Sequence, residues 1–265
     1  MLLTIRHDIR YRYATPVTYS IQQFRVSPAS GASKIVRHWH VEAPGKLDLA
    51  RDAYGNALHT LVLTKPHGEI HVSVAGEVET EALSDGRLFD EAGPIPLEHF
   101  TCPTRLTSPD AAIRELALRV DALDTRASLL ALTERIGERV RYRNEPAYAA
   151  GTAAQALANG FGDARDLAHL MLACCRARGV PARCVSGYFA ASDEENVAVH
   201  AWTDVWVEHG WVSVDATQAA FAGERHCRLA VARDYESAAP VRGSRVGGRE
   251  ETLTVHVSIE AQPDQ

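Results

Sequence analysis

Apolar and charged side chains alternate along Thr4-Ile5-Arg6-His7-Asp8-Ile9-Arg10-Tyr11-Arg12-Tyr13, the period of a half-buried β-strand. Further runs of this kind are Gln23–Val26, Arg37–Glu42, Ala57–Leu63 and Glu69–Glu77. Pro16, Pro28, Pro44-Gly45, Gly55 and Pro66 fall between them as turn punctuation. Several short strands at such spacing predict an antiparallel sandwich or barrel over roughly the first 85 residues.

The period then changes. Pro94, Pro96 and Pro103 mark a connecting stretch, and Ser108-Pro109-Asp110 reads as a helix start with Ser as N-cap and Pro at the first helical position. A helix is expected over Pro109–Leu123, with Ile113, Leu116 and Val120 at helical spacing. A second runs from about Arg126 to Val140, with Leu129, Leu132, Ile136 and Val140 on one face. A short helix follows near Thr152–Ala158, then a strongly apolar one from about Ala164 to Arg178, closed by Gly179 and Pro181. Strands are expected at Ala182–Phe189, Val199–Glu208 and Trp211–Asp215, and alternation returns over Glu251–Ile259.

Composition narrows the class. The chain of 265 residues suffices for one large domain or two modest ones, and 46% apolar with 23% charged residues is ordinary for a soluble globular protein. A net charge of −6 with scattered arginines gives no basic groove, so nucleic acid is not an expected partner. No stretch approaches the ~20 apolar residues of a membrane span, and MLLTIRHDIRYRY lacks the apolar core of a secretory signal. Five cysteines without regular spacing argue against a disulfide framework and for a reducing cytoplasm.

Candidate chemistry centres on Asn159-Gly160-Phe161-Gly162-Asp163-Ala164, where a capped helix begins. A helix N-terminus gathers unpaired N–H groups and the positive end of the dipole, which favours an ionised thiol and can hold an oxyanion. Amide chemistry further needs a base, usually His, and a carboxylate that orients it. His200 and Asp215 lie on two strands separated by His209-Gly210, a tight-hairpin spacing that brings imidazole and carboxylate together. Taken singly, a lone strand histidine such as His200 is more often a packed or surface residue, and Asp215 before Ala-Thr also reads as a turn or cap residue.

Taken together, Gly162-Asp163-Ala164-Arg165-Asp166-Leu167-Ala168-His169-Leu170, Cys175-Arg176-Ala177-Arg178-Gly179-Val180-Pro181-Ala182-Arg183 and Val185-Ser186-Gly187-Tyr188 resemble the bacterial transglutaminase-like family. His200-Ala201-Trp202 and Trp211-Val212-Ser213-Val214-Asp215-Ala216-Thr217 resemble its His and Asp blocks. Arg233-Asp234-Tyr235 and Pro240-Val241-Arg242-Gly243 are similar to its C-terminal segment. The resemblance implies an α+β protein: an N-terminal antiparallel β-sandwich or barrel domain (1–100), a papain-like transglutaminase core of helices on an antiparallel sheet (101–240), and a C-terminal strand and tail (241–265). It implies a Cys-His-Asp triad with His200 as base, Asp215 as its orienter and the nucleophile at position 164, where this chain has Ala164. Asp163, Arg165 and Trp202 are the substrate-binding candidates. The chemistry implied is thioester-mediated hydrolysis or acyl transfer on a peptide or amide-bearing substrate, with no metal or organic cofactor.

The remaining cysteines are poor substitutes. Cys174 and Cys175 lie ten and eleven residues down the same helix, roughly 15 Å along its axis. Cys184 sits among apolar neighbours, and Cys102 and Cys227 fall outside the motif. Asp166 reads as a first-turn acid and His169 as a packing residue, or both shape the site. His38, His40, His67 and His71 lack the companions of a zinc site. Asp193-Glu194-Glu195 reads as a solvated loop or an acidic rim to the cleft. Three states fit a methyl group at position 164: an enzyme whose nucleophile has been exchanged, a natural pseudoenzyme that binds peptide or amide ligands, and a structural role.

Overall fold

The computed structural model of the chain describes residues 1–31, 33–88, 95–144, 151–191 and 199–262. The expectations for Pro94 and for Asp193-Glu194-Glu195 lie outside the described residues.

Strands β1 (Leu2–Phe24), β2 (Lys34–Glu42), β3 (Leu47–Arg51), β4 (Ala57–Leu63) and β5 (His67–Thr80) build most of an antiparallel half-barrel sheet. Its spine is β1, which buries Leu3, Ile5 and Ile9 on one face. The expected turn at Pro16 is corrected, because β1 continues through it. Its pairing with β5 shifts between Arg12 and Val17, so the missing proline N–H falls in an irregular step. β3, a strand the sequence pattern did not mark, adds an exposed edge to β4.

The helical part differs from expectation mainly at its start. Helix α1 spans Ala111–Ala117, shorter than Pro109–Leu123, because the Asp110 carboxylate and not Ser108 caps it, accepting from the Ile113 N–H at 2.8 Å. Helix α2 (Arg126–Arg139) begins at a reciprocal Thr125–Ser128 box and buries Leu129, Leu132 and Ile136. Strand β6 (Arg141–Tyr142) follows, then α3 (Ala153–Asn159), β7 (Phe161–Gly162), which pairs parallel with β6, and α4 (Ala164–Ala177).

The second sheet holds β8 (Ala182–Phe189), β9 (Val199–Val207), β10 (Gly210–Asp215), β11 (Ala220–Phe221) and β12 (His226–Ala232), in the order β11-β10-β9-β8-β12. Helix α4 packs on β8 and β9 and is buried nearly all round, with Leu167, Leu170, Met171 and Leu172 at 0–1% exposure. Its last turn is tied down by Arg176, which donates to the carbonyls of Phe100, Ala182 and Arg233 and to the Thr107 hydroxyl. Burial accordingly lowers the Arg176 pKa to about 10.

After the short helix α5 (Tyr235–Ala238), strands β13 (Val241–Gly247) and β14 (Glu251–Gln262) return to the first sheet and both pair with β1. The two sheets are joined by an apolar cluster of Leu3, Ile5, Val78, Tyr188, Cys227 and Leu229. Asn56 adds a two-way backbone clasp on Val231, at 2.8 and 2.9 Å. The architecture is α+β, with antiparallel sheets and helices packed on the second of them.

Candidate active site

The start of α4 is fixed by its own side chains. Asp163 caps the helix, accepting from the N–H groups of Arg165 (2.8 Å) and Asp166 (3.2 Å), while Asp166 answers the Asp163 N–H at 3.1 Å. Gly162 is required here, since a Cβ on it would lie 2.7 Å from Asp166 Cβ. Ala164 is the first helical residue, 7% exposed, packed with Ala168 and Ala201 and flanked by Tyr142 and Tyr235. Arg165 returns its guanidinium to Asp163 and lies over the Tyr235 ring at 5.5 Å. Asp163 and Arg165 are thus at the site, with their polar groups engaged by each other and by the cap.

Asp166 and His169 act together. Asp166 accepts from the Gly151 N–H at 2.8 Å, and the His169 Nδ1–H donates to the Gly151 carbonyl at 3.0 Å. Nε2 of His169 accepts from the Tyr235 N–H at 3.1 Å, which fixes the tautomer. Burial pushes the His169 pKa down to about 4. These residues clamp the backbone on either side of the helix start.

The opposite wall comes from β9 and β10. The hairpin turns at Glu208 and His209, both at positive φ (51° and 62°), and Gly210 already pairs with Val207. The turn therefore sits one residue earlier than His209-Gly210. Because Thr203 pairs with Val214, Asp215 lies opposite Trp202, one same-face step from His200. That diagonal puts His200 Nε2 2.7 Å from Asp215 Oδ2. The other carboxylate oxygen accepts from the Thr217 N–H (2.9 Å) and hydroxyl (2.8 Å). Burial pushes the Asp215 carboxyl up, but the charge and hydrogen bond of His200, with a hydrogen bond from His226, hold it well below the usual carboxylate range. With Nε2 engaged, Nδ1 is the His200 nitrogen left to exchange a proton.

His226, at the start of β12, is the functional-site residue the sequence did not disclose. Its Nε2 lies 3.1 Å from the same Asp215 Oδ2. His200, Asp215 and His226 hold their ligand-type atoms within 4.8 Å of one another, the one such group among the described residues. However, the Gly223 N–H donates to His226 Nδ1 at 3.1 Å, so the proton of His226 sits on Nε2 and points at the carboxylate. A metal-bound histidine needs the reverse, a lone pair toward the ion and an acceptor beyond its other nitrogen. Both imidazoles pack against Phe189, with ring centroids 5.1 and 4.6 Å away.

Trp202 is 2% exposed and donates its indole N–H to Ser213 Oγ at 2.9 Å. Ser213 in turn donates to Asp204, a fully buried carboxylate held by Arg183 and Arg228. Trp202 therefore forms a wall of the site, its N–H already spent. Gly187, paired with His200, makes room for it: a Cβ there would meet the indole at 2.5 Å.

The cysteines other than Cys102 are buried. Cys174, Cys175 and Cys184 share the core cluster beneath α4, and Cys227 lies between the sheets. Burial raises all four thiols, that of Cys175 to about 12. His38 and His71 pair with single carboxylates, Glu77 and Asp8, on the first sheet. A groove of about 540 Å³ runs beside the site, bounded by Arg139, Arg141, Tyr142, Leu167, Ala216 and Thr217. Burial, then the charges of Asp215 and Asp163, push the Tyr142 phenol up, so it faces the site as a neutral hydroxyl.

Comparison with known proteins gives two family matches in chain order. Residues 3–79 match the bacterial transglutaminase-like N-terminal region, and residues 114–216 match the transglutaminase-like superfamily core. The chain is 26% identical over 273 aligned residues to an uncharacterised protein of Mycobacterium leprae, covering 97% of this chain and 98% of that one. It is 24% identical to an uncharacterised protein of Mycobacterium bovis, covering 98% of this chain and 92% of the relative. Among solved structures, one from Cytophaga hutchinsonii, provisionally described as a cysteine protease, superposes with a TM-score of 0.79 at 21% identity, covering 100% of this chain and 92% of that one.

Proposed function

We propose that this chain, which belongs to the transglutaminase-like superfamily, carries a thiol acyl-transfer site silenced at its nucleophile position and engages peptide or amide-bearing chains without turning them over. One observation carries this reading. The His200–Asp215 pair is closed at 2.7 Å, and Ala201, the neighbour of His200, packs against the methyl-bearing Ala164 that opens the capped helix.

The chemistry such a site performs with a thiol follows from its parts. Nδ1 of His200 takes the thiol proton while Asp215 holds the ring through Nε2. The thiolate adds to the amide carbonyl, and the oxyanion is met by the backbone N–H of residue 164, since the cap already engages those of Arg165 and Asp166. The amine leaves with the proton from His200, and water or a second amine resolves the thioester, giving hydrolysis or acyl transfer. An alanine methyl supplies neither the electron pair nor the proton, so the first step has no nucleophile. The groove at Tyr142 and Thr217 remains as a place for an extended peptide.

The test compares the chain as it stands with the Ala164→Cys variant on a panel of glutamine-containing and other amide peptides, with and without an amine donor. Expected are peptide binding without turnover by the chain itself, turnover by the variant, and its loss on adding His200→Ala. Turnover by the unaltered chain, or an Ala164→Cys thiol as unreactive as a buried cysteine, would overturn the proposal.

A further inference from the structure

Asp215 receives two imidazole N–H groups on one oxygen: His200 Nε2 at 2.7 Å and His226 Nε2 at 3.1 Å both meet Oδ2. A buried carboxylate needs donors to stay ionised, and Asp215, at 0% exposure, has two more on Oδ1 from Thr217. His226 differs from those donors in where it is anchored. It begins β12, on the far side of β8 from β9, and its ring reaches back past Phe189 and Trp202 to the carboxylate.

The ring is oriented from behind. Gly223 N–H donates to Nδ1, and the His226 backbone N–H donates to the Gly223 carbonyl at 2.9 Å, closing a tight turn on the side chain. A nitrogen that accepts a backbone N–H carries no proton, so this tautomer presents Nε2–H to Asp215. Orientation of that kind serves a hydrogen-bond donor and opposes metal ligation.

We propose that His226 is a positioning residue that shares the Asp215 carboxylate with His200, fixing its rotamer and moderating its hold on the His200 ring. The proposal rests on the acyl-transfer reading for its use in catalysis, but its geometry is testable without any reaction. Sharing has a direction. Each donor on Oδ2 draws electron density from the other's bond, so removing His226 concentrates the carboxylate on His200 and tightens its hold on that ring. Also around the pair are the Tyr142 phenol on β6, which feels the charges of Asp215 and Asp163, and the uncharged rings of Phe189 and Trp202. None of them donates to Oδ2.

The first test uses the chain as it stands. Long-range ¹H–¹⁵N correlation at neutral pH should show both rings with the proton on Nε2, and the His200 Nε2–H signal should move downfield in His226→Phe. A His226 proton on Nδ1, or an unmoved His200 signal, overturns the proposal. The second test places the same changes in the Ala164→Cys background and follows alkylation of that thiol against pH. With His226→Phe the midpoint should fall by about half a unit or more, and His226→Gln, which keeps a donor at the same reach, should restore it. A midpoint that stays or rises with Phe, or one that Gln does not restore, overturns it. An unreactive thiol in every background would instead sink the acyl-transfer reading, leaving the tautomer measurement to decide His226 alone. Micromolar Co²⁺ binding by the unaltered chain, lost with His226→Phe, would overturn the donor role in favour of a metal site.

Discussion

Helix α4 has two chemically opposite ends. At its start, Ala164 sits on a capped N-terminus next to Ala201, the residue after His200. Toward its other end, Cys174 and Cys175 are sealed in the core at 0% exposure. Sulfur is present where burial makes it inert and, on the proposed reading, absent where a helix start and an imidazole would activate it. Burial drives the Cys175 thiol up to about 12, whereas a helix N-terminus and an imidazole pull a thiol down. Placement, and not residue type, separates a packing cysteine from a nucleophile.

The largest expected effect sharpens this contrast. Treated with iodoacetamide in the folded state, the chain should be modified at exposed Cys102 alone, and at all five cysteines once unfolded, as read by mass spectrometry. Alkylation of Cys174 or Cys175 in the native state would break the comparison. Next comes packing. Leu170→Ala, at a fully buried position of α4, should cost about 2–5 kcal/mol in urea unfolding, while Leu118→Ala, at 66% exposure beyond α1, should stay within about 0.5 kcal/mol.

Acid acts on the same helix and on β1. His169 and His7 have folded pKa values lowered by burial to about 4 against 6.5 unfolded. The unfolded chain takes up these protons first, so stability is full above pH 6.5 and is lost as pH falls toward about 4. Each group contributes a slope of up to ~1.4 kcal/mol per pH unit there. Asp215, also held low, adds a loss that begins as pH falls through the ordinary carboxylate range. His169→Gln should flatten the slope between pH 6.5 and 4 by the share of one proton, and an unchanged slope would refute the assignment. The smallest effect belongs to the cap: Asp163→Ala should cost about 1 kcal/mol, with Asp163→Asn recovering most of it. Equal losses for the two would show that the Arg165 pair, and not the cap, is what matters.

The sequence disclosed local signals well and non-local ones poorly. Strands Ala182–Phe189 and Ala57–Leu63 and the start of α4 at Ala164 fall where periodicity and caps put them. The His200–Asp215 contact followed from hairpin spacing, although the turn is one residue earlier, because Glu208 and His209 both take positive φ without a glycine. Pro16 misled, since a proline can sit at a bulge within a strand that has partners on both sides. The donor role of His226 was invisible for a different reason. HCRLAVA contains nothing that says β12 will lie beside β8, and only that placement aims its first residue at Asp215. The Trp202 N–H bond to Ser213 is likewise non-local, since it depends on β10 lying beside β9.

The central claim is that position 164 faces a working base. The most direct measurement is the iodoacetamide rate at pH 6 for the Ala164→Cys variant, with and without His200→Ala. A base held on Asp215 predicts alkylation at least about tenfold faster when His200 is present. Equal rates in the two proteins would contradict the account, because His200 and Asp215 would then be a packed pair with no bearing on the residue before them.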